Sequence, residues 1–289
     1  MKYISLSDLS NTIRNNLYKI PRNIDCIIGV PRSGMIAASL ISSYLNVPLI
    51  DVYSFCAGLK PSGGGRLMFF NKQNNEETNN VLVIDDTVNN GGSMNNVKQM
   101  LSQKSNINFI YMCVYLEGRG ESSIDLYLED VRQYTNNFTI PVLYEWNIFQ
   151  HYPHVMSRCM YDMDGVLCVD PPDERNETEY IEYIKNAKPL FVPRTSIGAI
   201  ITYRLQKNEE ITKQWLAKYN ILYNALKTFP ANSWEERNAS GISPELFKGT
   251  IYKKYDFFNL FVESNDYQAQ QIAKISGKNV YCVETNKMY

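Results

Sequence analysis

The sequence predicts an α/β protein of two domains. Three observations carry this: short apolar runs suited to buried strands alternate with segments of helical period; two of those runs, "VLVIDD" and "RCMYDMD", end in paired carboxylates; and 289 residues suffice for two cores. Apolar residues make up 44% of the chain and charged residues 20%, the balance of a globular protein. A formal net charge of -1 gives no overall attraction to nucleic acid or to an anionic membrane, so any polyanion must be held locally. The six cysteines fall singly, several inside apolar runs, which points to a reducing compartment. The N-terminus lacks an apolar signal core and no apolar stretch is long enough to span a bilayer. The expected location is the cytoplasm, with peripheral docking at the membrane left open.

The elements follow in order. Leu6, Leu9, Ile13 and Leu17 recur at helical spacing. "DCIIGV" reads as a buried strand, "MIAASLISSYL" as a tightly packed helix and "VPLIDVYSF" as a second strand. The Gly-, Ser-, Asn- and Lys-rich stretch from Gly58 to Asn80 has no period and reads as a long mobile loop. Strands "VLVI" and "NFIYMCVYL" flank the helix "SMNNVKQMLSQ", giving a parallel sheet with crossover helices. "PVLYEWNIFQHYPH" closes this half, with Glu145, Trp146 and Asn147 read as packing at the junction and acceptor contact as the other reading. The boundary falls near His151–Pro153, which divides the chain into domains 1–152 and 153–289. In the second half "YIEYIKNA", "EEITKQWLAKY" and "DYQAQQIAKISG" read as helices, the last stopped by Gly277, between the strands "GAIIT", "NLFVE" and "NVYCV".

A buried strand that delivers Asp85 and Asp86 and then a Gly-rich turn into a helix sets acceptors at one end and backbone N–H donors at the other. That suits a sugar phosphate; a strand-to-helix loop with Asp and Asn-Gly as turn formers is the plainer reading. "CIIGVPRSGMIAA" is a second buried strand ending in a polar, Gly-bearing turn. Together the two stretches resemble the type I phosphoribosyltransferases, which use 5-phosphoribosyl diphosphate (PRPP) with Mg²⁺. "VPRSG" matches that family's diphosphate loop and "VLVIDDTVNNGGS" its acidic pair and phosphate loop, over about the first 150 residues. The resemblance assigns Pro31, Arg32, Ser33 and Gly34 to diphosphate and Asp85 and Asp86 to the ribose. It assigns Thr87, Val88, Asn89, Asn90, Gly91, Gly92 and Ser93 to the 5-phosphate, and Lys60 and Arg66 to a loop that closes over the reaction. Asn90 departs from the family's usual Thr. Displacement of diphosphate passes through a cationic sugar, so positioning, charge neutralisation and water exclusion do most of the work and no strong acid is required.

"YDMDGVL" carries two Asp separated by one residue, so both carboxylates point toward one mouth. It resembles the first motif of haloacid-dehalogenase-like (HAD) phosphatases, in which Asp162 attacks phosphorus and holds Mg²⁺ while Asp164 protonates the leaving oxygen and then activates water. Over residues 157 to 286 the resemblance further implies Thr202 as the phosphate-binding hydroxyl, Lys248 as the balancing lysine with Lys253 as fallback, and Glu263 as a metal ligand. Asp162, Asp164, Glu263 and Asp266 form the implied metal set; Ser264 stands where a second carboxylate is common, and Asp266 either holds a metal-bound water or caps the next helix. The stretch between Asp164 and Thr202 leaves no room for a separate cap, so the expected fold is a capless HAD-like Rossmannoid domain behind a phosphoribosyltransferase-like parallel-sheet domain. The only two histidines, His151 and His154, lie in the linker, which argues against a His-based metal site or triad, and no GxxxxGK[ST] motif is present.

Joined on one chain, the two resemblances imply phosphoribosyl transfer followed by phosphate removal. A salvage enzyme would keep the phosphate, so the expected acceptor is a glycan receiving ribofuranose in polysaccharide biosynthesis. A nucleobase phosphoribosyltransferase fused to a nucleotidase, a hydrolase of the donor itself and a non-enzymatic PRPP sensor are the alternatives.

Overall fold

In the computed structural model the described residues are 1–64, 79–134, 142–149, 152–172 and 175–289. They form two compact units, Met1–Trp146 and Asn147–Tyr289.

The first unit is built on a five-stranded, all-parallel sheet of β2 (Cys26–Gly29), β3 (Leu49–Asp51), β4 (Asn80–Val88), β5 (Asn108–Leu116) and β6 (Leu126–Asp130), in spatial order β3-β2-β4-β5-β6. A separate parallel pair joins β1 (Tyr3–Ile4) to β7 (Leu143–Tyr144). Strand β4 is buried on both faces, as a central parallel strand must be. Leu82 and Ile84 pack with α1 (Leu6–Asn16) and α2 (Gly34–Leu45) through Leu9, Ile13, Ala37 and Ile41. Val81 and Val83 pack on the other face with Phe55 of α3 (Val52–Cys56) and Met94, Val97 and Leu101 of α4 (Gly92–Leu101). Ser5 and Asp8 close a capping box on α1.

The second unit carries a six-stranded sheet of β8 (Cys159–Tyr161), β9 (Ile197–Leu205), β10 (Tyr223–Phe229), β11 (Leu260–Glu263), β12 (Val280–Cys282) and β13 (Lys287–Met288), in order β10-β9-β8-β11-β12-β13. Every pairing is parallel except the last. Its helices are α5 (Pro153–Met156), α6 (Glu177–Asn186), α7 (Glu209–Lys218), α8 (Trp234–Ala239), α9 (Pro244–Lys254) and α10 (Asp266–Ser276). Gly277, at φ 68°, ends α10.

Three expectations are corrected. "VPLIDVYSF" is not one strand: Asp51 Oδ1 accepts from the amides of Tyr53 and Ser54, caps α3 and turns the chain into a helix. Strand β4 does not stop at the carboxylates but runs to Val88, because β5 continues alongside it with Thr87 opposite Tyr115 and Val88 opposite Leu116. The strand "GAIIT" likewise runs on to Leu205 along β10, so Thr202 sits within it. Of the expected loop from Gly58 to Asn80, residues 65–78 lie outside the described residues, and with them Arg66; Lys60 is exposed. His151 also lies outside them. No helix among the described residues is long and apolar enough to cross a membrane.

Candidate active sites

In the first unit the neighbouring strands β2 and β4 deliver their chain ends to one edge. The Val30 amide donates to the Ile84 carbonyl at 2.9 Å, which brings the loop Pro31–Gly34 beside the carboxylates. The Pro31–Arg32 peptide is cis. Ser33 Oγ donates to Asp86 Oδ1 at 2.8 Å, and the indole N–H of Trp146 donates to Asp86 Oδ2 at 2.7 Å, so both oxygens of this buried carboxylate are fixed. Gly34 is required here, because a Cβ would lie 2.8 Å from Asp85 Oδ1 and 2.9 Å from the Ile84 carbonyl. Burial, followed by the charge of Asp86, pushes Asp85 well above the usual carboxylate range, with the Ser93 hydroxyl acting the other way.

Beyond Val88 the chain turns through Asn89 and Asn90 to Gly91, which caps α4 at φ 80°. Asn90 Oδ1 accepts from the Gly92 amide at 3.0 Å, so the residue that departs from the family's Thr spends its oxygen on a loop donor. Because the strand absorbs Thr87 and Val88, the backbone groups beyond the sheet are those of residues 89 to 93. The segment after β5 clasps this turn: the amides of Glu117 and Gly118 donate to the Val88 carbonyl at 2.9 and 3.3 Å, and the Gly120 amide donates to Asn89 at 2.7 Å. A Cβ on Gly120 would stand 2.5 Å from the Gly91 nitrogen and one on Gly91 2.7 Å from Ser123 Oγ, so the two backbones nest with no side chain between them.

In the second unit the edge formed by β8, β9 and β11 gathers a denser charge cluster. Lys248 on α9, 3% exposed, donates to Asp162 Oδ2 at 2.7 Å, Glu263 Oε2 at 2.8 Å and Gln268 Oε1 at 2.9 Å. Lys253 lies exposed on the same helix. Glu263 Oε1 accepts from the amides of Ser264 and Asn265. Burial and then the Glu263 charge push Asp162 well above the usual carboxylate range against the pull of Lys248. Asp164 behaves oppositely: burial pushes it up, but the Arg204 guanidinium, with a closest contact of 2.5 Å, and the Tyr183 hydroxyl at 2.7 Å hold it below the usual range. Gly165, at φ 76°, passes so near Ser264 that a Cβ would meet its Oγ at 2.4 Å. Thr202 is buried completely and accepts from the Arg204 amide at 3.3 Å. Asp266 accepts from Tyr289, Thr285 and Gln270, and Asn265 rather than Asp266 caps α10. Asp170 is instead the further carboxylate that feels the charges of Asp164 and Glu263.

Among the described residues no three His, Cys, Asp or Glu side chains form a complete metal cage. The oxygen donors Asp162 and Glu263, which lack full charge compensation, fit Mg²⁺, which takes one or two carboxylates and shares its remaining positions with water and phosphate. Arg204, Tyr183 and Glu117 were not anticipated. Arg204 stands two residues after Thr202 on β9, a spacing the sequence does display.

A parallel sheet in which one strand ends in a Gly-bearing loop beside a carboxylate pair carried by its neighbour has the layout of an α/β domain that binds its ligand at the carboxyl ends of the strands. The chain belongs to the phosphoribosyl transferase domain family, which matches residues 3–147. The solved structures it resembles include the orotate phosphoribosyltransferase of Aeropyrum pernix, at 16% identity and TM-score 0.33 over 46% of this chain and 74% of that one. The xanthine-guanine-hypoxanthine phosphoribosyltransferase of Helicobacter pylori matches at 15% identity and TM-score 0.36 over 51% and 92%. The purine phosphoribosyltransferase of Pyrococcus horikoshii matches at 20% and 0.35 over 50% and 94%. No curated protein matches the chain.

Proposed function

We propose that the chain is bifunctional: the first unit transfers 5-phosphoribosyl from PRPP to a hydroxyl of a glycan, and the second, as a capless HAD-like phosphatase, removes the 5-phosphate. In the first step the acceptor oxygen bonds to C1 of the ribose and the C1–O bond to diphosphate breaks, its electrons leaving with diphosphate. Asp85 and Asp86 hold the ribose, Pro31 to Gly34 the diphosphate and residues 89 to 93 the 5-phosphate. In the second step an Asp162 oxygen bonds to phosphorus as the P–O5 bond breaks, the departing O5 takes a proton from water because Asp164 is held ionised, and a second water then attacks phosphorus, breaking the bond to Asp162 and releasing phosphate. Arg204 keeps Asp164 ionised, which equips it to accept the proton of that water. Mg²⁺ held by Asp162 and Glu263 would neutralise phosphate charge there.

The observation that carries this reading is the buried Asp162–Lys248–Glu263 cluster on the same chain as a phosphoribosyl transferase domain. A nucleotide-salvage enzyme gains by retaining the 5-phosphate, whereas a glycan does not need it, and this favours a carbohydrate acceptor. Mass spectrometry of Asp162→Asn tests the order of events. With PRPP, Mg²⁺ and a glycan pool, the variant accumulates an adduct about 80 mass units heavier than the wild-type product. Loss of transfer itself in this variant, or nucleotide formation from added nucleobases with no glycan product, overturns the proposal.

A further inference from the structure

Glu117, directly after β5, is a half-buried carboxylate whose amide donates to the Val88 carbonyl at 2.9 Å, two residues past Asp86 on β4. Its described partners are neutral: the side chain of Asn89 and the backbone of Val142 hydrogen-bond to it, and the charge of Asp86 is close enough to disfavour its ionisation. Tyr144 adds an independent observation. It is 2% exposed, yet its hydroxyl has no hydrogen-bond partner among the described residues, and after burial the charges that act most on it are those of Glu117 and Asp86. A buried phenol without a partner is costly and marks a place where a polar group is expected to dock. The ring is held by Tyr115 at 5.8 Å and Trp146 at 5.1 Å between centroids, and Trp146 itself donates to Asp86. Tyr144, Trp146 and Asp86 are therefore connected, and Glu117 is near enough for its charge to be felt at Tyr144.

A carboxylate is a poor neighbour for diphosphate or for the 5-phosphate, so Glu117 has no use in holding either end of the donor. It suits the other reactant. We propose that Glu117 takes the proton of the attacking acceptor hydroxyl and that the Tyr144 hydroxyl supplies a hydrogen bond to the same acceptor; this rests on the hydroxyl-acceptor reading given above. As the acceptor oxygen bonds to C1 and diphosphate departs with its electron pair, the hydroxyl becomes acidic, its proton moves to a Glu117 carboxylate oxygen, and solvent later removes it. Burial raises Glu117 to about 7, moderated by the Asn89 hydrogen bond and increased by the Asp86 charge, which places its proton affinity where a general base is most useful.

The test separates nucleophiles that carry a proton from one that does not. Full-length wild-type protein and Glu117→Gln are given PRPP and Mg²⁺ with a panel of methyl glycosides, with azide, or with nucleobases, and diphosphate release is followed together with product mass. Diphosphate release reports the first step alone, so the phosphatase step does not enter. Glu117→Gln is expected to lose transfer to methyl glycosides by about 10²-fold or more, while azide attack falls less than about threefold, because azide has no proton to give up. Glu117→Asp, which keeps the carboxylate one methylene short, is the second variant and must show the same ordering to a smaller degree. Equal loss with azide and with hydroxyls overturns the assignment, since Glu117 would then serve the donor or the fold; unaltered hydroxyl transfer overturns it as well. Wild-type protein that makes nucleotides from nucleobases and transfers nothing to hydroxyls overturns the acceptor class and the assignment with it. Wild-type protein that releases no diphosphate with any of the three sinks the transferase reading itself.

Discussion

Lys248→Met removes the one ammonium group that stands between two buried carboxylates. Asp162 and Glu263, 5% and 0% exposed, lie 2.7 and 2.8 Å from Lys248 Nζ and would be left facing each other without a cation. Breaking a buried ion pair from one side costs about 3–5 kcal/mol. For a unit of about 140 residues, with an unfolding entropy near 2.1 cal/mol/K per residue, that is roughly 10–17 °C in Tm. The loss also has a sign in pH. Burial and the Glu263 charge already raise Asp162, and removing Lys248 raises it further while the unfolded value stays where it was. A raised carboxyl contributes its stability below its unfolded value and loses it as pH rises through the folded one, so the deficit grows as pH rises above the unfolded carboxylate range and is larger at about pH 8 than at about pH 5. Scanning calorimetry of the full chain at both pH values, in EDTA so that no divalent cation supplies the missing charge, measures the shift. Hydrogen exchange assigns it to residues 147–289. A shift below about 3 °C, or one equal at the two pH values, would refute Lys248 as the counter-charge.

The opposite sign is expected for Arg204→Met. Arg204 holds Asp164 below the usual carboxylate range, so the wild-type pair contributes stability above the unfolded value and loses it as pH falls through the folded one. The variant loses about 3–5 kcal/mol at neutral pH and becomes relatively more stable on acidification, which urea titrations at several pH values will show. Trp146→Phe keeps the ring beside Tyr144 but loses the hydrogen bond to Asp86. A hydrogen bond to a charged group is worth about 1.5–3 kcal/mol, so kcat/KM for PRPP is expected to fall roughly tenfold or more; an unchanged value would separate Trp146 from ribose binding.

The elements most legible in the sequence were those buried on both faces. Strands β4 and β5 announce themselves as apolar runs, with one acidic pair near the end of β4 and the other just beyond β8. Strand β10 escaped notice because its side chains, "YNALKTF", are mostly half-buried or exposed at a sheet edge, and β6 for the same reason. Helix α3 was hidden inside an apolar run by a single capping aspartate. The resemblance to a known motif picks out Lys248. Its burial is not legible there, since the same helix carries exposed Lys253 and Lys254 at similar spacing. Glu117 and Tyr144 meet Asp86 only because β5 lies in register beside β4 and the chain returns through β7, and no local pattern encodes such a meeting.

The clasp between the Gly91 turn and the segment from Glu117 to Ser123 bears on how the donor is held. A cradle already locked backbone to backbone surrenders little motional freedom when an anion arrives, so most of the contact energy there remains available as affinity. On the proposed assignment the pentose would then be moored at its phosphate tail, with the carboxylate proposed to serve the second reactant carried by the first residue of the same clasp.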